Sequence, residues 1–145
     1  MNQRIIYSNA SGGVSVVIPA PESGLSIDEI AEKDVPKGTP YSIVDISTIP
    51  DDRTFRNAWE KQINSIKINQ SKAQDIKKNL IRVERDKRLS LLDIEFIKAL
   101  ESGDMPSQNQ IKLQKTKLRD APQSPKITAA KTLDELKALT LDDLL

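Results

Sequence analysis

Apolar positions in the first fifty residues alternate with polar ones or form short runs, whereas from residue 55 onward they recur every three or four residues. The first pattern belongs to strands and the second to helices. Residues 3–9 (QRIIYSN) and 13–19 (GVSVVIP) predict two strands, and Asn9-Ala10-Ser11-Gly12-Gly13 between them supplies the glycines of a hairpin turn. Pro19 and Pro21 end the second strand by removing ladder donors. Ser26-Ile27-Asp28-Glu29 has the spacing of a capping box, with Leu25 and Ile30 at the staple positions. It predicts a short helix that stops before Pro36. After the Pro36–Pro40 turn, Tyr41–Ile46 alternates as a third strand. Residues 1–50 therefore predict a ββαβ unit that buries only a thin core by itself.

Ile49-Pro50-Asp51-Asp52 marks a boundary, and either aspartate can cap a following helix. Phe55, Trp59, Ile63 and Ile66 then fall at spacings of four, four and three, one face of a helix. The phase is lost near Ile66–Gln70, and Ser71-Lys72-Ala73-Gln74 predicts a fresh start running to about Glu101. The stripe of that helix is Ala73, Ile76, Leu80, Val83, Leu92, Phe96 and Leu100. Ser102–Pro106 predicts a reversal, with Gly103 as C-cap, Asp104 as N-cap and Pro106 in the first turn. A helix over 106–120 with Ile111, Gln114 and Leu118 on a weak stripe completes an αα-hairpin with unequal arms. Pro122 and Pro125 mark a linker, APQSPKITAAK. Thr132–Leu136 returns as Thr140–Leu144, which predicts a short acidic amphipathic helix, either frayed or docked by its leucines in a groove. The expected fold class is α+β: a small domain over 1–50, an extended helical arm and αα-hairpin over 51–121, and a linker with an acidic tail over 122–145.

Composition supports long solvated helices over a thick core, with 37% apolar, 3% aromatic and 30% charged residues. The chain has no cysteine and no histidine, so a disulfide framework, thiolate ligands and the commonest general base are all missing. Neither a Gly-rich phosphate loop nor the ligand spacing of a calcium loop is present, and the pairs Asp51/Asp52 and Asp142/Asp143 fit capping. The expectation is a non-enzymatic protein without cofactor or metal. The N-terminal stretch lacks the apolar run and cleavage site of a secretory signal, and no segment has the ~20 apolar residues of a membrane span.

Charge is unevenly spread. Residues 51–90 hold 11 basic and 6 acidic groups, whereas residues 1–50 hold 3 and 6, and residues 132–145 hold 1 and 4. Lys77, Lys78, Arg82, Arg85, Lys87 and Arg88 cluster within twelve residues, which admits a nucleic-acid-binding or host-inhibiting regulatory protein acting through the basic helix 72–88 as an alternative function. Glu84/Arg88 and Arg82/Asp86 stand at i,i+4, however, as charges that pair along a solvated face do. Phe55 and Trp59, flanked by Arg53 and Arg56, are candidate contact residues for a partner, and they equally suit packing on the sheet. Arg82, Arg85 and Arg88 complete the candidate partner-binding set.

Several stretches carry a family resemblance: RTFRNAW at 53–59, SKAQDI at 71–76, the RVERDKRL and LLDIEFIKALESGD runs, and Leu118-Arg119-Asp120-Ala121-Pro122. With Arg85, Arg88 and Leu92 in an R-x-x-R-x-x-x-L arrangement, residues 50–140 resemble small tail or tail-fibre assembly chaperones encoded by bacteriophages and prophages. Ile94 stands where that pattern has Trp. The resemblance implies a non-enzymatic assembly factor or minor virion component that binds a phage tail or tail-fibre protein. It would act in the host bacterial cytoplasm during assembly or in the virion, with homo-oligomerisation left open.

Overall fold

The computed structural model describes residues 2–145, which form two compact units divided after Ala73. The α+β class expected from the patterning is the one observed.

In the first unit, β1 (Gln3–Ser8) lies between β2 (Val14–Val17) and β3 (Tyr41–Asp45), antiparallel to both. Ile5 is opposite both Val17 and Ile43, and Ile6 is opposite Val16 and Ser42. The β1–β2 turn is held by Asn9, whose side-chain oxygen accepts from the backbone N–H groups of Ser11 and Gly13. Gly12 there adopts φ +81°, which a side chain would resist. Helix α1 (Ile27–Asp34) begins with the predicted box: Glu29 N–H donates to Ser26 Oγ, and the Glu29 carboxylate accepts from Ser26 N–H. The bonds that the carboxylate accepts from Ser26 N–H and from the Ser26 hydroxyl hold the Glu29 pKa below its usual value.

Consecutive apolar residues in each strand bury both faces of the sheet. Ile5 packs with Ile30, Ala31 and Val35 of α1, joined by Val17 and Ile43. Ile6, Val14 and Val44 face the opposite way, onto Ile49 and Trp59. The helix expected from Phe55, Trp59, Ile63 and Ile66 does not form. The segment instead makes a 3-10 turn (Arg56–Ala58) and a hairpin of β4 (Trp59–Lys61) and β5 (Ile66–Ile68), closed by Gln62 N–H donating to Ser65 C=O at 2.9 Å. The reason is burial demand: the second sheet face needs a cover, and Trp59 with Ile66 and Ile68 provides it. Residues 51–69 thus complete the N-terminal unit and are not part of a helical arm; the long helix starts only at Gln70, its first turn still within that unit.

Helix α2 (Gln70–Glu101) has 32 residues, about 48 Å at 1.5 Å per residue. Its cap is Asn69, whose side-chain oxygen accepts from Lys72 N–H at 3.0 Å, and not Ser71 as the spacing suggested. The reversal after α2 follows the sequence. Gly103 takes φ +70°, with Asp104 N–H donating to Ala99 C=O and Gly103 N–H to Leu100 C=O, the two bonds of a Schellman end. Asp104 then caps α3 (Met105–Asp120) by accepting from Ser107 N–H. Gln108, buried, donates to Ala99 C=O at 3.2 Å, and an Asp93–Lys115 ion pair joins α2 to α3 further along.

The expected linker is corrected by the structure, and the acidic helix expected after it is present as two short helices with buried leucines. Residues 121–145 fold as a 3-10 turn and three short helices: α4 (Pro125–Ala129), α5 (Leu133–Ala138) and α6 (Leu141–Leu144). Side chains of Ser124, Thr132 and Thr140 cap them in turn. Helices of four to six residues do not persist alone, and here burial stabilises them. Ile127, Leu136 and Leu141 are each 0% exposed and Pro122 is fully buried, so the tail supplies much of the second core. Among the described residues no helix is long and apolar enough to cross a membrane.

Candidate functional site

Phe55 and Trp59 do not present a contact surface. They are 4% and 0% exposed, so the partner-binding role expected for these two side chains gives way to a core role. Their arginine flanks are tied to that core. Arg56 lies over the Trp59 ring with its guanidinium carbon 4.3 Å from the centroid, and Arg53 lies at 5.7 Å. Arg56 also donates to Val14 C=O, which fastens the 3-10 turn to the first hairpin. Burial lowers the Arg56 pKa, with Arg53 adding repulsion. Trp59 Nε1 is buried with no hydrogen-bond partner among the described residues.

The basic cluster of α2 is largely engaged within its own unit. Lys77 is 8% exposed and donates to Lys137 C=O at 3.0 Å, and burial lowers its pKa. Arg82 bonds Asn79, and Arg85 pairs with Asp86 at 2.8 Å. Arg88 reaches Glu84 at 3.2 Å and forks onto both carboxylate oxygens of Asp142 in α6. The bonds to Asp142 raise the Arg88 pKa, and they depress that of Asp142. The acidic tail therefore docks on the basic helix, with its leucines buried and Asp142 as the polar clasp.

Beside this clasp lies a groove of about 430 Å³ between α2 and α3. Leu91, Leu92, Leu118 and Leu145 give it an apolar lining, and Arg88, Glu95, Gln114 and Lys117 give it a polar rim. Of the predicted site residues only Arg88 lines it; Arg82 and Arg85 do not, and Arg53, Phe55, Arg56 and Trp59 belong to the other unit. The sequence held part of this signal. Leu92 and Leu118 each marked a stripe, and the Gly103 reversal brings those stripes together. Leu145 carried no pattern that would single it out. Among the described residues no group of three or more carboxylates converges as a metal site would require. No family model, curated protein or solved structure matches the chain.

Proposed function

We propose that this protein is a non-enzymatic assembly factor or minor virion component of a phage tail. It binds an apolar, acid-bearing segment of a tail or tail-fibre protein in the α2–α3 groove. The observation that carries the reading is the groove itself: leucine-lined, rimmed by Lys117 and Arg88, and continuous with the site where the chain's own tail is seated. That tail supplies the template for the occupant. Its leucines are buried while the neighbouring Asp142 meets Arg88, and a partner segment continuing the pattern would place an apolar side chain against Leu118 and a carboxylate on Lys117. The resemblance of residues 50–140 to tail-assembly proteins names the partner class, and the absence of histidine and cysteine supports a role without catalysis.

The alternative, phosphate binding through Lys77–Arg88, has less support because four of those six cations have partners within the chain. The test is affinity purification of the tagged full-length protein from bacteria producing the tail proteins. A tail or fibre protein should co-purify, and Lys117→Glu, an exposed change on the groove rim, should weaken its capture. Absence of any tail component from the eluate would overturn the proposal. Quantitative mass spectrometry of mature particles against lysate then separates the two forms of the role. A fixed copy number in particles marks a virion component, and abundance in lysate alone marks a factor that leaves.

A further inference from the structure

The face of α2 turned away from α3 carries a second apolar line in solvent. Leu80, Val83, Ile94 and Ile97 are 49%, 58%, 53% and 53% exposed, with Lys87 and Ser90 between them. Positions 80, 83, 87, 90, 94 and 97 alternate spacings of three and four, the repeat of a seam between two helices. Under an antiparallel two-fold this seam is its own complement. Leu80 meets Ile97 of a second copy, Val83 meets Ile94, and Lys87 meets Ser90. A parallel arrangement would set Lys87 against Lys87.

Charge selects the same direction. Residues 70–88 of α2 hold seven basic and three acidic groups, whereas residues 89–101 hold one basic and three acidic. An antiparallel partner lays each half on its opposite, and a parallel one lays like on like. Asp86 and Asp93 of the second copy come to the same flank, and each arrives already paired, with Arg85 and Lys115. Leu91 lines the groove and stays outside the seam, so the four seam side chains would remove about 400 Å² of apolar surface per helix, roughly 800 Å² for the pair, the size of a weak association.

We propose that two copies of this chain associate through the outer face of α2 in an antiparallel pair, leaving the α2–α3 groove of each copy for its partner. Sedimentation equilibrium of the full chain, from low micromolar to millimolar concentration, should give the mass of two chains. Ile94→Glu should raise the dissociation constant roughly tenfold or more while the helical circular dichroism stays unchanged. Leu113→Glu, 67% exposed on α3 and off the seam, should leave the dimer intact. The chain has no cysteine of its own, so direction can be read by oxidative cross-linking. A mixture of Leu80→Cys and Ile97→Cys proteins should form the mixed disulfide in preference to either homodimer. A monomer across the whole range, a dimer indifferent to Ile94→Glu, or preferential Leu80–Leu80 cross-linking would overturn the proposal.

Discussion

Leu141→Ala tests whether the C-terminal tail is core or appendage. Leu141 is 0% exposed in α6, a four-residue helix whose other anchors are Leu144 and the Asp142–Arg88 clasp. Truncation removes three buried carbons, about 2.4 kcal/mol at 0.8 kcal/mol per group, and leaves a cavity that brings the expected loss to about 3–5 kcal/mol. A unit the size of residues 74–145 is stable by about 4–11 kcal/mol, so this one change consumes a large part of it. Urea unfolding followed by circular dichroism at 222 nm reports the helices, most of which lie in this unit. With a slope of about 1.5 kcal/mol per molar urea, the midpoint should fall by roughly 2–3 M. Leu145→Ala, at a position 45% exposed, should move it by less than about 0.5 M under the same slope. Equal and small shifts for the two variants would refute the claim that the tail is part of the core.

Gly103→Ala should cost about 1–2 kcal/mol, because φ is +70° at the α2–α3 reversal and no neighbouring atom would clash with the added Cβ; urea midpoints check it. Trp59 fluorescence should be blue-shifted and resistant to acrylamide quenching, and Trp59→Ala should destabilise the first unit by about 3–5 kcal/mol. Native emission typical of a solvent-facing Trp would contradict the core role. The Asp142 carboxyl is held below its usual pKa by Arg88, so its contribution is fully present above the ordinary carboxylate range, about 4, and disappears as pH falls through the lowered value. Asp142→Asn should therefore flatten the acid limb of a stability–pH curve and reduce its dependence on salt.

The N-terminal ββαβ unit was legible because its signals were local: alternation in each strand, the Ser26–Glu29 box and the glycine turn at Asn9–Gly13. Its completion by Trp59 was less visible, since four apolar residues at helical spacing also fit a turn followed by a hairpin. The adjacent pairs Ile5-Ile6, Val16-Val17 and Ile43-Val44 carried the missing information. Both sheet faces are apolar, and α1 can cover only one. The Gly103–Asp104 reversal was likewise local and readable. The docking of the tail depended on long-range pairing: Arg88 with Asp142 is separated by 54 residues, and Lys77 with Lys137 by 60. Pro122 and Pro125 suggested a linker there, and the Thr132–Leu136 and Thr140–Leu144 repeat a short acidic helix. The capping side chains and the leucine spacing that let those helices pack were present all along, without a partner surface in view.

Whether the α2–α3 groove receives a segment of a tail or tail-fibre protein can be read in cells assembling tails. A photo-cross-linking residue placed at Gln114, on the exposed rim, interrogates that groove directly in cells assembling tails. One dominant adduct containing tail or fibre peptides is expected, lost when the same residue is placed instead at Glu32 on α1 of the first unit. Adducts with host proteins alone, or the same adduct from both positions, would contradict it.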